Sequence, residues 1–139
     1  MLVAGGTMKD PIRVLYIDDD PDLRTIVALA LQRDPQMEVR TCATGREGLA
    51  VAEEWQPSLV LLDMMMPELD GVATRRLLRA NPATADIPVA FITAVARGAE
   101  RKLMEEAGAV GIIEKPFAVL ELAQIVRELL ARSTSDRSA

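Results

Sequence analysis

Histidine is absent from all 139 residues. That absence excludes a Ser-His-Asp triad, a Cys-His pair and any histidine-ligated zinc site. It also means that the chain cannot donate a phosphoryl group from a phosphohistidine of its own. Cysteine is nearly absent: Cys42 is the only one, so no internal disulfide forms, and a reducing compartment fits. No apolar run approaches the ~20 residues that a membrane span requires. Met1 to Gly6 lack the charged start and apolar stretch of a signal peptide. A cytoplasmic location away from membranes is expected. Positive charge is also in deficit. A net charge of −5 and a pI of about 4.8 argue against a nucleic-acid surface, which needs clustered Lys and Arg. Any chemistry must come from carboxylates, Lys115, hydroxyls, backbone groups or a bound ion.

Half of the residues are hydrophobic and 27% are charged, the balance of a globular domain. A chain of this length buries roughly two thirds of its unfolded surface as one core. The pattern alternates strand and helix five times. Ile12 to Ile17 is β-branched and apolar, as a buried strand requires. Asp20-Pro21 supplies an N-cap and a proline at the first helical position, and Leu23, Ile26, Val27, Ala30 and Leu31 follow at helical spacing. Asp34-Pro35 ends that helix. A strand over Met37 to Cys42 precedes a helix to Trp55 opened by a capping box, Thr44 with Glu47. Leu59 to Leu62 is the third strand, and Asp70-Gly71 opens a helix stopped by Asn81-Pro82. Ile87 to Ile92, Arg97 to Ala107, Val110 to Ile113 and the face Val119, Leu122, Ile125, Val126 and Leu129 complete the series. The domain is expected to span residues 11–131, between flexible segments at 1–10 and 132–139.

Strands joined by helical crossovers imply an α/β fold, a doubly wound five-stranded parallel sheet with helices on both faces. Ligands then bind outside the carboxyl ends of the strands. Asp18, Asp19 and Asp20 follow the first strand, Asp63 the third, Thr93 the fourth and Lys115 the fifth, so all project from one edge. Asp63 stands straight after four buried-type residues, where a carboxylate is costly unless paired, metal-bound or chemically useful. Each group alone has a plain reading: a capped helix start, a turn aspartate, a strand-end hydroxyl, a surface lysine. Together, several carboxylates without His or Cys suit a hard cation, Mg²⁺ before transition metals. With Lys115 as a point charge and Thr93 as a donor, the set describes a site for a tetrahedral oxyanion beside a metal, with Asp63 as nucleophile. Cys42, Trp55 and most methionines read as packing or surface.

The stretches Val14-Leu15-Tyr16-Ile17-Asp18-Asp19-Asp20, Asp63-Met64-Met65-Met66-Pro67-Glu68-Leu69-Asp70-Gly71, Thr93-Ala94 and Lys115-Pro116-Phe117 resemble the receiver domain of two-component response regulators, from about Ile12 to Leu130. The resemblance implies a flavodoxin-like strand order 2-1-3-4-5. It implies Asp63 as phosphoacceptor, with Mg²⁺ held by Asp18, Asp19, Asp63 and the Met65 backbone carbonyl. Thr93, the Ala94 backbone N–H and Lys115 would contact the phosphoryl group, and the Lys115-Pro116 bond would be cis. A single-domain regulator is expected, phosphorylated by a histidine kinase or histidine phosphotransfer protein and signalling by contact with a protein target. It would catalyse only its own phosphorylation and dephosphorylation.

One position departs from the family pattern. Three residues before Lys115, where Tyr or Phe is common, stands Ile112, so the output switch must work through different packing. Met65 and Val95 would flank the path of attacking water and slow phosphoaspartate hydrolysis. Three other readings are weaker. A phosphorylation-independent adaptor needs none of the acidic set. An aspartate-nucleophile phosphatase would carry an acid where Met65 stands. A flavin site would be repelled by Asp18-Asp19-Asp20.

Overall fold

The computed structural model describes residues 10–138, which leaves most of the expected N-terminal extension, residues 1–10, outside the described part. The elements run in chain order as β1 (Ile12–Ile17), α1 (Pro21–Gln32), β2 (Met37–Cys42), α2 (Gly45–Trp55), β3 (Leu59–Asp63), α3 (Gly71–Ala80), β4 (Val89–Thr93), α4 (Gly98–Glu106), β5 (Gly111–Glu114) and α5 (Leu122–Ser138). A single 3-10 turn, Val119–Glu121, leads into α5. All strand pairs are parallel, and their order is β2-β1-β3-β4-β5.

Period-two alternation along the strands divides the core into two layers. Leu15, Ile17, Val60, Leu62 and Phe91 pack with Ala52, Leu78 and Met104 on the side of α2, α3 and α4. Val14, Tyr16, Leu59, Leu61 and Ile92 pack with Val27, Leu31, Leu122 and Val126 on the side of α1 and α5. Every residue of β3 and β4 is buried, because these inner strands are covered on both faces.

The helix starts follow from local chemistry. Asp20 caps α1 by accepting from the N–H groups of Asp22 at 2.9 Å and Leu23 at 3.2 Å. Thr44 accepts from Glu47 N–H at 3.1 Å, and Glu47 reaches back to Ala43 N–H at 3.1 Å. Asp70 caps α3 through Ala73 N–H at 2.8 Å. Each of these caps satisfies backbone donors that the first turn leaves without partners.

Several boundaries differ from the sequence expectation, and two have a clear physical cause. β4 begins at Val89, because Pro88 has no N–H for the ladder. α5 continues to Ser138, through most of the segment expected to be a flexible tail. No Gly or Pro stops it there, and each added residue extends the ladder by one bond. Arg132 donates to the Val110 carbonyl at 2.9 Å and Ser133 is buried, so the packed domain extends past Ala131.

Candidate functional site

From β1 the chain steps outward to β2, then back across to β3 on the other flank. That reversal opens a crevice at the carboxyl ends of β1 and β3. The register pairs Ile17 with Leu62, which brings Asp18 and Asp63 side by side at the floor of the crevice. Both are buried. Asp19 is exposed beside them, and one carboxylate oxygen from each of the three lies within 4.8 Å of the others.

β5 brings the counter-charge. Lys115 Nζ lies 3.3 Å from Asp63 Oδ1 and 3.3 Å from Asp18 Oδ2, a bridge between carboxylates on two different strands. The Lys115 N–H donates to the Thr93 carbonyl at 2.7 Å, which ties the loop after β5 to the end of β4. The Lys115–Pro116 peptide is cis.

The other expected residues take distinct positions. The buried Thr93 hydroxyl donates to the Val95 carbonyl at 3.2 Å and accepts from its N–H at 3.1 Å. It therefore faces its own loop; no described hydrogen bond joins it to Asp63 or Lys115. Neither the Ala94 N–H nor the Met65 carbonyl enters a described hydrogen bond. Met65 and Val95, each two residues past a strand-end site residue, are exposed, 69% and 44% accessible. Ile112 is half-buried and packs with the α2, α3 and α4 layer. Glu68, in the loop after Asp63, holds φ at 67°, a left-handed conformation uncommon for a residue with a Cβ. Gly71 is required by proximity: a Cβ there would lie 2.6 Å from the Asp63 carbonyl oxygen and 2.8 Å from Met64 Cα.

Two contacts lay outside the sequence reading. Tyr16, counted only as a strand residue, donates its hydroxyl to Asp18 Oδ2 in the buried layer. Its signal was available, since residues i and i+2 of a strand share a face. Arg24 on α1 donates to the Asp18 carbonyl at 2.8 Å.

The electrostatics follow from this crowding. Burial and the neighbouring Asp18 raise the Asp63 pKa to about 6, against the opposing pull of Lys115. Burial alone would lower Lys115, but Asp63 and Asp18 outweigh it and hold the ammonium charged. Burial and the hydrogen bond to Asp18 push the Tyr16 hydroxyl far up, so it stays a neutral donor. Two acids sharing one lysine leave negative charge in excess. An all-oxygen donor set without His or Cys is what a hard divalent ion takes, so the residues present fit Mg²⁺.

The comparisons agree with the geometry. The family model for the response regulator receiver domain matches residues 14–127, and the chain belongs to that family. Among curated relatives, the DNA-binding dual master transcriptional regulator RpaA of Synechocystis is 37% identical over 121 residues, 87% of this chain and 50% of that protein. The response regulator MprA of Mycolicibacterium vanbaalenii is 37% identical over 129 residues, 93% of this chain and 54% of that protein. The chain thus spans about half the length of these relatives. The chemotaxis protein CheY4 of Vibrio cholerae superposes with a TM-score of 0.79 at 28% identity, over 86% of this chain and 98% of that one. Aspartate phosphorylation and Mg²⁺ binding are general features of the family. Among the described residues, no helix is long and apolar enough to cross a membrane.

Proposed function

We propose that this receiver domain accepts a phosphoryl group on Asp63 from the phosphohistidine of a histidine kinase or histidine phosphotransfer protein. The observation that carries this reading is the bridge from Lys115 to Asp63 and Asp18, beside Asp19, at the switch point of the sheet.

In this reading a carboxylate oxygen of Asp63 attacks phosphorus as the P–N bond to the partner's imidazole breaks, and the departing imidazole takes up a proton. Asp63 Oδ1 is engaged by Lys115. Asp18, Asp19, Asp63 and the Met65 carbonyl would hold Mg²⁺, which supplies positive charge for the phosphoryl oxygens. Lys115 adds a fixed positive charge, and the low-dielectric floor strengthens it. Thr93, released from Val95, and the Ala94 N–H would donate to the phosphoryl oxygens. The partly buried Ile112 would repack with that movement in place of a swinging aromatic ring.

Read as a single-domain regulator, the protein hands on its signal by contact with another protein. RpaA is named as DNA-binding, and a native polypeptide carrying such a module would direct the same switch to DNA instead. Intact mass after incubation with acetyl phosphate and Mg²⁺ tests the chemistry. One added phosphoryl group on the wild type, absent from Asp63→Ala, is expected. An unlabelled wild type under saturating donor would overturn the reading and favour an adaptor.

A further inference from the structure

Asp18 is held far more firmly than its acidic neighbours. Its Oδ1 accepts from the Asp20 N–H at 2.9 Å, and its Oδ2 accepts both from Lys115 at 3.3 Å and from the Tyr16 hydroxyl. Asp63 has Lys115 as its described donor, and Asp19 has none among the described residues. Tyr16 is completely buried, at position i to the i+2 of Asp18 on one face of the chain. A buried hydroxyl is unfavourable without a partner, and Phe or a branched aliphatic would fill the same layer with no polar atom to satisfy. The hydroxyl is spent on the one carboxylate that stands between the apolar layer and the cluster.

We infer that Tyr16 is a positioning residue of the site, which fixes the orientation of the Asp18 carboxylate and thereby sets the affinity for the divalent cation. The inference deepens the receiver reading and rests on it. The physical basis is preorganisation. A carboxylate whose rotamer is locked by a neutral donor loses little freedom when an ion binds, and groups that orient a metal ligand typically govern affinity by 10–100-fold. Lys115 cannot do this alone, because its long side chain is shared with Asp63 and is itself partly exposed. Tyr16, anchored among Val14, Leu61 and Ile92 in the apolar layer, has no such latitude.

The chain has a single tyrosine, so spectroscopy reports on this contact without interference. The wild type and Tyr16→Phe are titrated with MgCl₂ by calorimetry, with unfolding temperature as the check on folding. The dissociation constant of Tyr16→Phe is expected to rise about tenfold. In a parallel experiment that needs no variant, the Cζ resonance of ¹³C-labelled Tyr16 is followed in the wild type, and it is expected to shift on saturation with Mg²⁺. An unchanged dissociation constant in folded Tyr16→Phe, or a Tyr16 resonance that ignores Mg²⁺, overturns the inference. The receiver reading would survive that result, because labelling of Asp63 by acetyl phosphate is read separately. A wild type that binds no Mg²⁺ overturns both.

Discussion

Lys115 Nζ stands 3.3 Å from Asp63 Oδ1 although 52 residues separate the two in the chain. The same ammonium also reaches Asp18, so one cation compensates two buried carboxylates only in part. Lys115→Met removes the group that lowers the Asp63 pKa and leaves burial and Asp18 unopposed. The Asp63 carboxyl of the variant is therefore expected to titrate above the wild type in Mg²⁺-free buffer, read from its ¹³Cγ shift. Labelling by acetyl phosphate should slow by about 10²-fold, the scale for removing one preorganised donor from a charge-developing site. An unaltered titration would show that Lys115 does not sense Asp63.

Stability in the absence of Mg²⁺ should depend on pH through Asp63. Its folded pKa is about 6 against an ordinary 3.8, so the folded state holds the proton more tightly than the unfolded state between these values. Stability then falls as pH rises from about 4 to 6, and the loss persists at pH 7. Asp63→Asn abolishes the ionisation and is expected to stabilise the Mg²⁺-free protein at pH 7 by about 1–3 kcal/mol. The difference from wild type should shrink below pH 4. Urea unfolding at both pH values decides it, and a variant less stable than wild type at pH 7 would contradict the assignment.

Gly71 opens α3 directly against the backbone of Asp63. Gly71→Ala forces the Asp63 carbonyl or the first turn of α3 to move, with an expected destabilisation of about 1–3 kcal/mol, the range for overpacking. Because the displaced atoms belong to Asp63, labelling should slow as well. Ala at the exposed Gly98 meets no atom within 4 Å, so it provides a control that strains only its own backbone at φ 67°.

Met65, two residues past Asp63, is 69% accessible. If its apolar side chain limits the approach of water, Met65→Asn should shorten the life of the phosphorylated form about tenfold, equivalent to about 1.4 kcal/mol of barrier. The measurement is loss of phosphoryl mass with time in Mg²⁺ after donor removal. Decay within seconds in the wild type would sink the shielding role.

The sequence by itself determined the features that depend on near neighbours. Apolar runs bounded by Pro, Asp and Gly set the alternation of strands and helices, and Asp20, Thr44 and Asp70 announced their caps because capping acts over two or three residues. The positions of Asp18, Asp63, Thr93 and Lys115 at the carboxyl ends of their strands were equally legible, since the end of an apolar run marks the sheet edge. Tertiary structure alone decided which side chains meet across strands. The Lys115 bridge spans 97 residues to Asp18 and 52 to Asp63, and it exists only because the packing of both layers sets the strand order. The Thr93 hydroxyl turned to Val95, and Tyr16 spent its buried hydroxyl on Asp18, because a buried polar group takes the partner that packing leaves within reach. Local periodicity says which residues arrive at an edge. Only the assembled sheet says which of them touch.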